Sequence, residues 1–95
     1  MKVQIITKNY KASEKLQANI EKKFEKLGKF FNDDVTATVV LSRFREATKL
    51  EATIKAKNNI FRAEEISDNV YEAMDIAIAK LSNQMAKFKG KLETR

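Results

Sequence analysis

The chain has 95 residues and a net charge of +6, from 19 Lys and Arg against 13 Asp and Glu. That length allows one hydrophobic core and one domain, and the basic charge predicts a polyanionic partner. Because the sequence has no Cys and no His, we exclude disulfides, thiolate metal sites, Cys nucleophiles and His-containing catalytic triads.

Membrane segments, enzyme chemistry and metal sites find no support in the sequence. Residues 1–10 lack the apolar core of a signal peptide, and no stretch approaches the roughly 20 apolar residues of a membrane span. The carboxylate pairs Glu64 with Glu65 and Asp68 with Glu72 lack the spacing of a calcium-binding loop and are typical of a helix start. We therefore expect a cytoplasmic protein that is not an enzyme, with no metal, cofactor, small-molecule substrate or membrane partner.

The first part of the chain predicts a strand, a helix and a second strand. Residues 3–8 alternate apolar and polar side chains, as a short strand in an inner or mixed-face position does. Ser13 can cap an amphipathic helix that ends at or just beyond Gly28. The apolar residues of this helix are Leu16, Ile20, Phe24, Leu27 and Phe31. Residues 35–42 then alternate in a β-branched pattern that indicates the second strand.

Two further strands follow as a hairpin. Residues 43–46 form a polar connection into a third strand at 50–57, one face of which is charged. Residues 57–59 contain two asparagines, which accept the backbone angles of a tight turn. A fourth strand is expected at 60–66.

The largest predicted element is a helix from about Asn69 to Lys89, capped by Ser67 or Asp68. Its apolar positions recur every three or four residues and form one stripe, which predicts the side that faces the core. The stripe consists of Met74, Ile78, Leu81, Met85, Phe88 and Leu92. An alternative is that the stripe pairs with a partner helix, which would make the chain a protein-interaction module.

The element order β-α-β-β-β-α predicts an α+β fold. Two helices are expected on one face of a four-stranded sheet, whose other face lies in water. We expect residues 1–95 to form a single domain, with a structured core at about 2–90 and a basic tail at 91–95. In the free form the protein is expected to be a monomer.

Lysines follow one row on each helix. Lys15, Lys22, Lys26 and Lys29 repeat at helical spacing with Lys23 beside them, and Lys80, Lys87 and Lys91 repeat with Gln84 between them. If both helices cover the same sheet face, the two rows can flank a groove that binds phosphates. The alternative is that these faces are only solvated and pair with carboxylates on the first helix. Those carboxylates are Glu14, Glu21 and Glu25.

One aromatic residue is predicted to be free for base stacking. Phe44 lies between Arg43 and Arg45 in a connection, whereas the other aromatic residues fall mainly at core-compatible positions. Those residues include Phe24, Phe30, Phe31, Phe61, Tyr71 and Phe88. The full set of predicted RNA-binding residues is Lys22, Lys23, Lys26, Lys29, Arg43, Arg45, Lys80, Gln84, Lys87, Lys89 and Lys91.

Several segments resemble the ribosome hibernation-promoting factor and ribosome-associated inhibitor family. They are Phe61–Glu65, Ser67–Asp75, Lys80-Leu81, Gln84 and Lys87, with Glu25–Phe30 at the end of the first helix. The resemblance covers most of the chain and implies a fold similar to double-stranded RNA-binding domains. It also implies basic contacts from both helices to ribosomal RNA, at Lys23, Lys26, Lys29, Lys80, Lys87 and Lys91. Asn83 and Ala86 stand where family members often have Arg or Lys.

The family resemblance implies a translation inhibitor that stabilises idle ribosomes. Its partner would be the small ribosomal subunit and its rRNA, where the domain would overlap the mRNA and tRNA path near the A and P sites. The chain would be a short form or the N-terminal domain of a long form. A generic duplex-RNA-binding domain is the remaining alternative.

Overall fold

The structure is a computed structural model that describes residues 1–30, 35–56 and 58–93, with side chains except at 29–30 and 89–93. Four strands and two α-helices follow one another in the predicted order β-α-β-β-β-α. They are β1 (Lys2–Lys8), α1 (Glu14–Glu25), β2 (Val35–Phe44), β3 (Ala47–Ala56), β4 (Asn59–Ser67) and α2 (Val70–Glu93). A 3-10 helix, Lys26–Phe30, continues α1.

The four strands form one mixed sheet in the order β1-β2-β3-β4. Strand β1 is parallel to β2, because α1 carries the chain back to the starting end of β1 before β2 begins. The other neighbours are antiparallel hairpin pairs. Strand β1 therefore lies at an edge of the sheet, and the prediction of an inner position is wrong. Its mixed faces are confirmed, since Val3 and Ile5 pack on the core and Ile6 is exposed.

Both helices cover one face of the sheet and share a single core with it. Alternate residues of β2 and β3 are buried, whereas Lys55 of β3 is exposed on the opposite face and Lys49 pairs there with Glu51 and Glu64. The largest fully buried side chains are Phe24, Ile20, Leu41, Leu50, Ile54, Met74, Leu81, Met85 and Val39. The predicted α+β arrangement is thus confirmed, and the open face carries charged and polar side chains together with the exposed Ile6, Ile60 and Ile66.

Helix α1 begins as predicted and ends differently. The Ser13 hydroxyl accepts a hydrogen bond of 3.1 Å from the Leu16 amide, which confirms the cap. The helix tightens into the 3-10 turn instead of ending in a left-handed residue, and Gly28 has no positive φ. The predicted glycine cap is therefore wrong. Phe31, the last residue of the predicted apolar stripe, lies outside the described residues.

Helix α2 begins one residue later and runs further than predicted. Its cap is Asn69, whose Oδ1 accepts from the Tyr71 amide at 3.0 Å, while the Ser67 hydroxyl accepts from the Asn69 amide. Caps at Ser67 or Asp68 are thus wrong. The helix extends to Glu93, so residues 91–93 are helical and not part of a tail. Within the described ranges, no helix combines the length and apolar character that crossing a bilayer requires.

We expect the Asn69→Ala variant to lower the free energy of unfolding by about 1 kcal/mol, because two amides at the start of α2 lose their acceptor. Urea unfolding followed by circular dichroism measures the change. The matched control is Asp68→Ala, which should change stability by less than about 0.5 kcal/mol. A larger loss at Asp68 than at Asn69 would contradict the observed cap.

Both hairpin turns connect antiparallel neighbours, and the turn between β2 and β3 is tighter than predicted. Arg43 and Phe44 belong to β2, so only Arg45 and Glu46 remain in the connection. Arg45 has a φ of 58°, in the left-handed region that favours glycine. Ala56 pairs with Asn59, which confirms the β3–β4 hairpin, although Lys57 of its turn lies outside the described residues.

The apolar stripe of α2 faces the sheet, as predicted. Met74, Leu81 and Met85 are fully buried, and the ring of Phe88 meets Phe61 edge-on with centroids 5.8 Å apart. From Met74 to Phe88 the stripe is therefore occupied by the core and leaves little surface for a partner helix. The side chain of Leu92 lies outside the described residues. Tyr71 is 40% exposed, which corrects its expected core position.

Candidate nucleic-acid interface

The lysine row of α1 lies on the solvent side of the helix. Lys22 and Lys26 are exposed, and in the described part of the chain neither makes an ion pair. Lys23 is half-buried and its ammonium lies 2.5 Å from the Asp75 carboxylate of α2, which ties the two helices together. Among the described residues, no ion pair joins either lysine to the carboxylates of the first helix, Glu14, Glu21 and Glu25. The side chain of Lys29 lies outside the described residues.

The polar row of α2 contacts strand β4. The Lys80 ammonium pairs with Glu65, and the Gln84 amide donates a hydrogen bond of 2.9 Å to the Arg62 carbonyl oxygen. Lys87, one turn further, is exposed and has no carboxylate partner among the described residues. The side chains of Lys89 and Lys91 lie outside the described residues.

These contacts change the predicted relation between the two rows. Helix α1 packs over β1, whereas α2 packs over β3 and β4. Lys80 and Gln84 face β4 on the flank of α2 away from α1, while Asp75 faces α1. The rows are therefore separated by α2, which is about 10 Å wide, and do not face each other across a groove. The helical layer instead presents a broad, outward basic surface.

Two lysines remain accessible to an RNA phosphate although each already forms an ion pair. Lys23 pairs with Asp75 between the helices, and Lys80 pairs with Glu65 of the sheet. Lys80 remains 56% exposed at its side chain and Lys23 38% exposed. The Asp75 carboxylate is well exposed, and exposed ion pairs contribute about 0–1 kcal/mol, so an RNA phosphate can replace it at Lys23 at little cost. The Glu65 carboxylate is only 16% exposed, so the exchange at Lys80 costs more. Lys22, Lys26 and Lys87 need no such exchange.

Arg43, Phe44 and Arg45 lie at the other end of the molecule from Lys87. The end of β2 is level with the start of α2, since Thr48 pairs with both Arg43 and Ser67. Lys87 is 17 residues beyond Val70, which places it about 25 Å further along the helix. Phe44 is 43% exposed, and the Arg45 guanidinium lies 5.8 Å from its ring centroid. The structure thus does not bring the two arginines together with the lysines of the α2 C-terminal half.

One basic residue close to Arg43 was missed by the sequence reasoning. Lys11, in the link between β1 and α1, lines the same depression as Arg43. The available signal was the polar segment Lys8–Lys11, which joins a strand to a capped helix and contains Asn9, a residue that tolerates positive φ. Among the described residues, no group of three or more acidic side chains could hold a metal ion.

The similar known proteins include two ribosome hibernation promotion factors. The chain is 36% identical to a ribosome hibernation promotion factor of Lactococcus lactis subsp. cremoris, over the whole chain and 53% of the relative. It is 34% identical to the factor of the same name from Staphylococcus aureus, over 92% of the chain and 47% of the relative. The chain therefore spans about half the length of these curated relatives.

Solved structures with the same fold include two proteins that match nearly end to end. The N-terminal domain of Thermus thermophilus Protein Y superposes with a TM-score of 0.85 at 26% identity, over 93% of this chain and 99% of that one. A ribosomal subunit interface protein of Coxiella burnetii, at 22% identity, shares the fold with a TM-score of 0.80, over 95% of this chain and 99% of that one. A family profile matches residues 3–93. The chain belongs to the family described as Sigma 54 modulation protein / S30EA ribosomal protein, which confirms the resemblance seen in its sequence.

Proposed function

We propose that this domain binds the rRNA of the small ribosomal subunit, occupies the mRNA and tRNA path near the A and P sites, and keeps the ribosome idle. The activity is steric, so it needs no catalytic residue and no cofactor. Two relatives named ribosome hibernation promotion factors support the proposal. The observation that carries it is a group of exposed lysines on the helical layer that have no carboxylate partner among the described residues, including Lys22, Lys26 and Lys87.

The physical basis is phosphate binding by a rigid basic surface. Both helices are held on the sheet by fully buried side chains such as Phe24 and Leu81, so the lysines lie at fixed spacings. Ordered cations release counterions from RNA when they meet its phosphates, and this contribution does not depend on base sequence. A domain of this kind can recognise folded rRNA by the positions of its phosphates.

The proposed contacts divide into a centre and a periphery. The centre consists of Lys22, Lys26 and Lys87. Lys23 and Lys80 would contact RNA once their ion pairs with carboxylates have broken. Gln84, which already donates to a carbonyl of β4, would contribute least. The remaining proposed residues are Lys29, Arg43, Arg45, Lys89 and Lys91.

Co-sedimentation with purified small subunits at increasing salt tests the proposal. With four to six phosphate contacts, a log–log plot of affinity against salt should have a total slope of about −3 to −5. A slope near zero would contradict electrostatic binding, and failure to sediment at low salt would contradict the ribosomal partner.

Generic binding to duplex RNA is separated from ribosome binding by competition. If the surface fits the small subunit, an excess of free duplex RNA should displace the chain only weakly. Equal competition would favour a general duplex-RNA-binding domain, and with it the proposed kinship to double-stranded RNA-binding domains. The helical layer on one sheet face is compatible with that kinship.

A further inference from the structure

A shallow depression of about 560 Å³ lies where β1 and β2 end. It is lined by Thr7, Asn9, Tyr10, Lys11 and Arg43. Its size falls within the range of about 300–1,000 Å³ that is usual for small-ligand sites. It lies at the end of the molecule where α1 and α2 begin, about 12 Å along α1 from Lys22 and about 25 Å along α2 from Lys87.

The charge of this depression is unbalanced. Lys11 and Arg43 are both exposed, and neither pairs with a carboxylate in the described part of the chain. Among the residues described, no Asp or Glu contributes to the lining. Two positive charges on one concave surface repel each other, and an anion bound between them is attracted to both.

The lining residues are held in place by the fold. Arg43 is paired with Thr48 in the β2–β3 ladder, and Tyr10 packs against the hydrophobic core. Asn9 has a φ of 52°, so the chain turns sharply between the end of β1 and Lys11. The Arg43 backbone and the Tyr10 ring are therefore ordered before a ligand binds, whereas Lys11 lies in the link between β1 and α1.

We propose that this depression binds a nucleotide phosphate, with the Arg43 guanidinium and the Lys11 ammonium contacting its oxygens. Asn9 and Thr7 would donate to or accept from the ribose or the base, and the Tyr10 ring would offer an apolar wall. The inference rests on the proposed function, since it assigns a second RNA contact to the same domain. The depression is open, so it leaves room for an RNA chain that continues on both sides of the bound phosphate.

The test is a titration of the ¹⁵N-labelled chain, followed by amide chemical shifts. The probes are inorganic phosphate, uridine 5′-monophosphate, an eight-nucleotide oligouridylate and polyglutamate. We expect the oligouridylate to shift the amides of Asn9, Tyr10, Lys11 and Arg43. Lys11→Ala or Arg43→Ala should weaken its binding about fivefold and reduce the salt slope by about 0.7. Lys55→Ala, an exposed lysine at the opposite end of the sheet, is the matched control and should leave binding unchanged.

The probes distinguish the possible occupants. A mononucleotide that shifts the same amides as strongly as the oligouridylate would support the site with a free nucleotide as its ligand. Polyglutamate binding as tightly as the oligouridylate, or shifts confined to α1 and α2, would overturn the proposal. Neither result depends on ribosomes, so a failure of subunit co-sedimentation remains a separate outcome that affects only the proposed function.

Discussion

Reversing the charge of Lys22, Lys26 and Lys87 together to Glu is expected to abolish co-sedimentation with small ribosomal subunits. The three side chains are exposed, and none has a carboxylate partner among the described residues. Their reversal removes three phosphate contacts and adds three repulsive charges, so affinity should fall by about 100-fold or more. Helix content should stay unchanged, because none of the ion pairs among the described residues involves these three lysines.

The matched control is the triple change of Lys2, Lys8 and Lys55 to Glu. These lysines are exposed on the sheet face away from the helices, and either triple change takes the net charge from +6 to 0. Retained sedimentation of the control would assign the loss to the helical surface. Equal loss in both variants would mean that net charge alone drives binding, and retention in both would move the site elsewhere.

Lys23 and Lys80 are unsuitable for the same experiment. A glutamate at position 80 would lie against Glu65, and one at position 23 against Asp75. The resulting repulsion would destabilise contacts between α1, α2 and β4, so a loss of binding would have two causes. Conservative changes to Gln at these positions avoid most of that ambiguity.

Truncating Phe24 to Ala is expected to lower the free energy of unfolding by about 3–5 kcal/mol. Its side chain is fully buried on the face of α1 that packs in the core, so its truncation leaves a cavity in a close-packed interior. Small domains have a total stability of about 5–15 kcal/mol, so this single change removes a large part of it. Urea unfolding monitored by circular dichroism measures the difference.

Ile76→Ala is the control for the core variant. Ile76 is 38% exposed on the same helical layer, so its truncation should cost about 1 kcal/mol, well below the loss for Phe24. Similar losses for both variants would contradict the observed packing of α1. Ribosome binding by the Phe24 variant should decline with its unfolded fraction, and should return when conditions favour the folded state.

Secondary structure and core were accessible from the sequence because they follow from local periodicity. The apolar side of a strand is indicated by alternation, as in residues 35–42. The apolar side of a helix is indicated by spacings of three and four, as from Met74 to Phe88. Which residues of an element are buried then depends little on the rest of the chain. The Ser13 cap was equally local, since it joins a hydroxyl to an amide three residues away.

Capping and turn details were less predictable where neighbouring residues compete. Ser67, Asp68 and Asn69 can all cap a helix, and only the backbone path at the end of β4 selects Asn69. Strand β2 likewise extends through Phe44. Its last two residues, Arg43 and Phe44, belong to the segment predicted as a polar connection, but they pair with β3. Cross-strand hydrogen bonds outweighed local composition there.

The order of elements, the apolar face of each and the basic rows on both helices could all be predicted from the residue pattern. Three features follow only from the packing: β1 is a parallel edge strand, Lys80 and Gln84 face β4, and Lys11 lines the same depression as Arg43. Periodicity orients a side chain relative to its own helix or strand. How those elements are placed beside one another depends on packing between distant segments, and that packing set the positions of the cations.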